Sequence, residues 1–365
     1  MNAITRWASR GAALVLLSSI TLLSFADPKG PPGPPGPDNA YTVTNLVSDG
    51  GVPAMHIDTQ LVNAWGIAFN PNAFVWVADN GTGLSTLYDG DGVKNALVVS
   101  IPNGAPTGIV FNGSTTDFTV TNGTTTGVAA FIFATENGII AGWSPGVDMT
   151  HAQIAVDNSA TTGAIYKGIA IAGNGTARFV YAADFHNARI DVFDRTFQPV
   201  NMGANAFVDP HIPHGFAPFN IQNIGGDLYV AYAKQDADKH DEVAGPGQGF
   251  VDVYDANGSL VNRLIEHEKL NAPWGMTLAP ASFGRFGGML LVGNFGDGRI
   301  NVFDPVTGKG QGTLETRHRM PIVIDGLWGL AFGNGLKDQP TNTLFFAAGP
   351  GDEGHGLYGR IDVSQ

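Results

Sequence analysis

The chain of 365 residues contains no cysteine. That excludes disulfides, thiolate metal centres and a cysteine nucleophile, and it leaves stability to the core alone. Basic residues are scarce: 19 Lys and Arg stand against 32 Asp and Glu, for a formal charge of −13. Nothing basic is clustered, so nucleic acid and anionic membrane surfaces are not expected partners. No His-x-His or His-Glu-x-x-His spacing occurs, and no loop cradles phosphate. Preformed zinc motifs therefore have no local support. A long hydrophobic run is missing too. The apolar stretch from Gly11 to Phe25 spans about fifteen residues, where a membrane-crossing helix needs roughly twenty.

That stretch follows Arg6 and Arg10 and ends in Ser24-Phe25-Ala26, with small residues where a signal peptidase reads. Residues 1–26 are expected to be a secretory signal. Its removal would delete two arginines and no acids, taking the charge from −13 to −15. The mature chain is then expected outside the cytoplasm, secreted or periplasmic, without membrane insertion and as a monomer. Residues 27–40, including Lys29-Gly-Pro-Pro-Gly-Pro-Pro-Gly-Pro-Asp38, hold too few triplets for a collagen helix. They read as a stiff polyproline-type spacer.

Glycine and proline are abundant, 50 and 22 residues, which points to many short strands joined by tight turns. An apolar strand with a central glycine recurs. The copies are Ala64-Trp-Gly-Ile-Ala-Phe69, Pro106-Thr-Gly-Ile-Val-Phe111, Tyr166-Lys-Gly-Ile-Ala-Ile171, Pro273-Trp-Gly-Met-Thr-Leu278 and Leu327-Trp-Gly-Leu-Ala-Phe332, with Asn220 replacing glycine in Pro218-Phe-Asn-Ile-Gln222. They start roughly 40 to 60 residues apart, the spacing of one four-stranded blade. A second strand follows each copy, as in Val75-Trp-Val-Ala-Asp79 and Val180-Tyr-Ala-Ala-Asp184. A third closes most copies with an aromatic, an aspartate and a turn, as in Val253-Tyr-Asp-Ala-Asn-Gly258. Asp and Asn-Gly there suit a hairpin into a fourth strand. The sixth copy runs out after Leu357 to Val363, one strand short, while Tyr41 to Val47 stands before the first copy without a partner. Pairing the two closes a ring and removes an exposed edge. Residues 41–365 are expected to form one all-β, six-bladed β-propeller domain.

The units resemble NHL-repeat propellers in their Pro-Trp-Gly inner strand, Val-x-Val-Ala-Asp second strand and Val-Phe/Tyr-Asp third strand. More narrowly, the chain resembles exported bacterial propellers of which some end in a PEP-CTERM tail; no such tail follows Val363. The resemblance implies a protein-binding or scaffold module. Its lactonase-like relatives imply an alternative, a Ca²⁺- or Zn²⁺-dependent hydrolase or lyase of the central channel.

In a propeller, the start of each inner strand and the loop after each second strand converge on one face. That brings Trp65, Lys167, Trp274 and Trp328 towards one mouth with Asp184 and His186, a candidate site for a protein, glycan or small molecule. The tryptophans serve equally well as packing between blades, and Asp79 and Asp184 as turn residues. Asp79, Glu136, Asp184 and Asn294, with Asn220, are the candidate oxygen ligands for Ca²⁺ or Zn²⁺. Asp236 to Glu242 is the densest acidic run and reads as a solvated loop.

Overall fold

A computed structural model describes residues 40–364. The expected signal and nearly all of the spacer, residues 1–39, lie outside the described residues. The repeats fold as six small sheets arranged in a ring, a six-bladed β-propeller with a single short 3₁₀ turn, Gly284–Phe286, among the described residues. The inner strands are Ala64–Phe69, Pro106–Phe111, Tyr166–Gly173, Phe216–Ile224, Pro273–Leu278 and Leu327–Phe332, and they define blades 1 to 6. Each pairs antiparallel with the second strand of its own blade. Among the described residues no helix is long and apolar enough to cross a membrane.

The repeated glycine has a physical cause. A Cβ on Gly66 would lie 2.5 Å from the carbonyl oxygen of Thr107, on Gly275 2.4 Å from that of Trp328, and on Gly329 2.6 Å from that of Trp65. Each clash is with the inner strand of the next blade, so glycine sets how closely the blades approach. In blade 4 Asn220 takes this place: its Nδ2 donates to the carbonyl of Trp274 at 2.7 Å, again across to the next blade. Gly329→Ala should therefore cost about 1–3 kcal/mol through forced backbone displacement. Urea unfolding checks this; a change below about 0.5 kcal/mol, the range of ordinary surface substitutions, would contradict it.

The turn after the third strand is built by its aspartate. Asp89, Asp194, Asp255 and Asp304 each accept, on Oδ1, backbone N–H groups from two to four residues downstream. Ring closure follows the strand count. Tyr41–Ser48 pairs antiparallel with Leu357–Val363, Tyr41 opposite Val363, as the outer strand of blade 6. The two residues His56–Ile57 add a short parallel fifth strand.

Two blades depart from four plain strands. Blade 2 carries an inserted hairpin, Thr119–Thr121 with Thr126–Val128, between its first two strands. Blade 3 has only three strands: beyond Arg189–Phe193 the ladder shrinks to a bridge between Phe193 and Pro199. Phe193 and Pro199 form a non-hydrogen-bonded pair, flanked by the bonds from Asp194 N–H to the Gln198 carbonyl and from Val200 N–H to the Val192 carbonyl, so proline is tolerated there.

Candidate functional site

At the start of the inner strands, the residue before each glycine points towards the ring axis. Trp65, Trp274 and Trp328 meet there with Phe219, and Phe185 and Phe295 join them from loops after second strands. Trp65 stacks on Trp328 at 3.8 Å, Phe295 on its other side at 4.1 Å, and Trp274 meets it edge-on at 5.8 Å. The three tryptophans are 1%, 5% and 1% exposed. Among the described residues they are packed against one another as a plug rather than laid open as a platform. Below, the inner strands enclose an axial cavity of about 260 Å³ whose lining includes Ile67, Phe69, Ile109, Phe111 and Leu330.

Lys167 is the fourth member of this set of positions and only 1% exposed. Its ammonium lies 5.2 Å from the Trp65 ring centroid, an attractive cation–π position. It donates to Glu136 Oε1 at 2.5 Å and to Asp241 Oδ1 at 3.2 Å. Burial opposes its charge, but Glu136 and Asp241 outweigh that and raise its pKa. A chain of donors points at the same carboxylate. Trp328 Nε1 donates to Asn63 Oδ1, Asn63 Nδ2 to Asn80 Oδ1, and Asn80 Nδ2 to Glu136 Oε2 at 2.8 Å. Asn63 Nδ2 also reaches Glu353 Oε1 at 3.2 Å. On the other side His240 Nδ1 lies 2.8 Å from Asp241 Oδ1. One polar network thus spans the ring, from blade 6 through blades 1 and 2 to Lys167 and on to the loop of blade 4.

The charges do not balance. Four carboxylates (Glu136, Asp241, Glu242 and Glu353) interact with one ammonium. Burial pushes the Glu242 carboxyl up to about 8, against the pull of Lys167 and with repulsion from Glu353 and Asp241. Burial also raises Glu353, aided by repulsion from Glu136. Asp241 is lowered: burial opposes the shift, but Lys167 and His240 prevail. Ligand atoms of Glu136, His240 and Asp241 lie within 4.8 Å of one another.

Of the residues singled out from sequence, the structure brings together Trp65, Glu136, Lys167, Trp274 and Trp328. It does not bring Asp79, Asp184 and Asn294 to them. Asp184 accepts from Asn187 and from the Ile165 N–H, beside Arg189, within blade 3. Asp79 is fully buried in blade 1 near Thr86 and Asp58, and its pKa is raised, first by burial. Asn294 Nδ2 donates to the Lys269 carbonyl and to Asp297. Asp184 and Asn294 tie second strands to the turns beside them, whereas both Asp79 carboxylate oxygens are buried and unpartnered among the described residues. His186 is half-buried, with Nδ1 buried and unpartnered among the described residues, and its carbonyl accepts from Gln235. The axis-facing position is one residue further on, at Asn80, Glu136, Phe185 and Phe295, because successive residues of extended chain face opposite ways.

Asp241, Glu242 and Glu353 were not singled out from sequence as site residues. The signal for them is loop length. Blades 1, 2, 3 and 5 join second to third strand through three to five residues. Blade 4 uses residues 235–249 and blade 6 residues 349–356, and these two loops deliver the extra acids.

Fold and site together define a six-bladed β-propeller with an acidic axial mouth over an aromatic plug. No protein-family profile matches the chain. It belongs to the family of two proteins of Acanthamoeba polyphaga mimivirus, Uncharacterized protein L690 and Uncharacterized protein R648. L690 is 37% identical over 337 residues, covering 89% of this chain and 86% of that protein. R648 is 36% identical over 337 residues, covering 89% and 81%. Among solved structures, a structural genomics protein of unknown function from Bacteroides thetaiotaomicron aligns with a TM-score of 0.55 over 88% of this chain and 76% of that one. At 12% identity it shares the fold.

Proposed function

We propose that the chain is a binding module that captures a cationic group at its axial mouth. The observation that carries this reading is the charge imbalance: three loops bring four carboxylates to a single buried ammonium, and two of the four are pushed towards protonation by burial first and by repulsion from neighbouring carboxylates second. A positive ligand relieves that repulsion. The best-defined spot is Glu136, His240 and Asp241. Two carboxylates and an imidazole suit Zn²⁺ with an open position better than Ca²⁺, which prefers oxygens alone. Lys167 is the built-in competitor, since it already holds Glu136 and Asp241. The repeats resemble blades of the NHL type, which agrees with a binding role.

One observation favours a second reading. A carboxyl held at about 8 beside a buried lysine is poised to carry a proton near neutral pH, so Glu242 would suit a metal-dependent hydrolase or lyase. The experiment is thermal unfolding of chelator-treated protein with Zn²⁺ or Ca²⁺ added. Binding at a hundredfold excess over Kd adds about 2.7 kcal/mol. Zn²⁺ is expected to raise the melting temperature of the parent and of neither Glu136→Gln nor Asp241→Asn. Equal melting of all three with and without the ions would remove the metal form of the proposal. Turnover of lactone substrates that Glu242→Gln abolishes would establish the second reading.

A further inference from the structure

The fifteen-residue connection of blade 4 is built unlike the others. Its first part continues the second strand as a short two-stranded extension. Gln235 bridges Glu242, the Val243 N–H donates to the Lys234 carbonyl at 2.7 Å, and the Asp236 N–H donates to the Asp241 carbonyl at 2.8 Å. Lys239 has a φ of 58°, and the His240 N–H donates to Asp236 Oδ1, which closes the tip. The base is fastened on both sides. Gln235 Nε2 donates to the Phe185 carbonyl of blade 3, and the Gly245 N–H donates to Asn271 Oδ1. Ala237 to Asp241 is exposed. Between these fastenings Asp241, 61% exposed, holds an ammonium that is itself 1% exposed, and Glu242 beside it lies in the field of the same ammonium.

We propose that residues 236–243 are a latch that closes the axial mouth over the Lys167–Glu136 pair and is held shut by the Asp241–Lys167 ion pair. A backbone segment with few buried apolar contacts and mostly local hydrogen bonds opens at low cost. Its closing bond is charge-assisted, and a partly exposed bond of this kind weakens when one charge is lost. The latch rests on the mouth being the binding site only for its purpose. Opening uncovers Lys167 and releases Asp241, so a ligand entering the mouth and the latch compete for the same groups. Its existence is a property of the protein alone and is tested without ligand.

The test is amide hydrogen exchange on the full chain, parent against Asp241→Asn. This substitution leaves an exposed position isosteric. The amides of Asp236 and Val243, which report the tip, should exchange about tenfold faster in the variant. The amides of Val230 and Val251 in the blade 4 strands should be unchanged. Raising the salt concentration on the parent should move the same two tip amides in the same direction, because a half-exposed pair is screened. Tip amides exchanging at parental rates in Asp241→Asn would overturn the latch. Faster exchange spread over the whole of blade 4 would overturn it as well, since a latch moves without its blade. The experiment contains no ligand, so a mouth that fails to take up a cation leaves its outcome unaltered.

Discussion

A chain lacking residues 27–48 is expected not to reach the native fold. The deleted strand Tyr41–Ser48 supplies the outer edge of blade 6 and buries Tyr41, Leu46 and Val47 almost completely. The Tyr41 hydroxyl donates to the Phe283 carbonyl and its ring stacks on Phe286, tying the strand to blade 5 as well. Burying one large apolar side chain contributes about 1.5–3 kcal/mol. Losing three, with a row of ladder bonds, removes an amount comparable to the whole net stability of a domain, about 5–15 kcal/mol. It also leaves Leu357–Val363 as a bare edge that invites pairing with other chains. Insoluble or unfolded protein is the expected outcome, measured by circular dichroism and size exclusion. The milder Leu46→Ala should cost about 2–5 kcal/mol in urea unfolding. A shortened chain that melts like the parent would contradict closure by this strand.

The second large effect concerns a group outside the mouth. Asp252 is fully buried in the third strand of blade 4, with one oxygen unpartnered among the described residues and the other accepting from the Tyr254 hydroxyl. Burial, then repulsion from Asp209, lifts its pKa from 3.8 to about 7. An acid with a raised folded pKa keeps its proton in the native state over a range where the unfolded chain has released it. Its stabilising contribution is therefore complete below about pH 4 and falls as pH rises to about 7. The slope is about 1.4 kcal/mol per pH unit, or about 4 kcal/mol across the window. Asp252→Asn keeps the shape and cannot ionise. Its stability relative to the parent should rise by about 4 kcal/mol between pH 4 and pH 7 and then level off. Any fixed cost of the new amide shifts that curve without changing its slope. A difference between the two proteins that is independent of pH would show that Asp252 is not the titrating group.

The fold was legible because it rests on local rules repeated many times. The glycine of the inner strand recurs because five of six blades need the same close approach, and the one exception, Asn220, satisfies the same neighbouring carbonyl with its side chain. The closing strand was legible because a surplus at one end of the chain matched a deficit at the other. The three-stranded blade 3 was not, since the chain leaves the ladder after Val200 with no change of composition to mark it.

The mouth was legible in part. Trp65, Lys167, Trp274 and Trp328 follow from strand register alone. Asp79, Asp184 and Asn294 stand one residue away from the axis-facing position, and a one-residue shift in extended chain reverses the direction of a side chain. Asp241 and Glu353 sit on long loops whose path no periodicity encodes. The run from Asp236 to Glu242 shows the limit: its exposed tip is solvated, yet its last two acids reach the buried Lys167.

Calorimetric titration of the chelator-treated full chain with Zn²⁺ tests most directly whether the acidic mouth takes up a cation. A single saturating site is expected in the parent, and no binding heat in a Glu136→Gln/Asp241→Asn double variant whose circular dichroism remains native. Absence of binding heat in the parent, or equal binding by the folded double variant, would contradict uptake of a cation by the mouth.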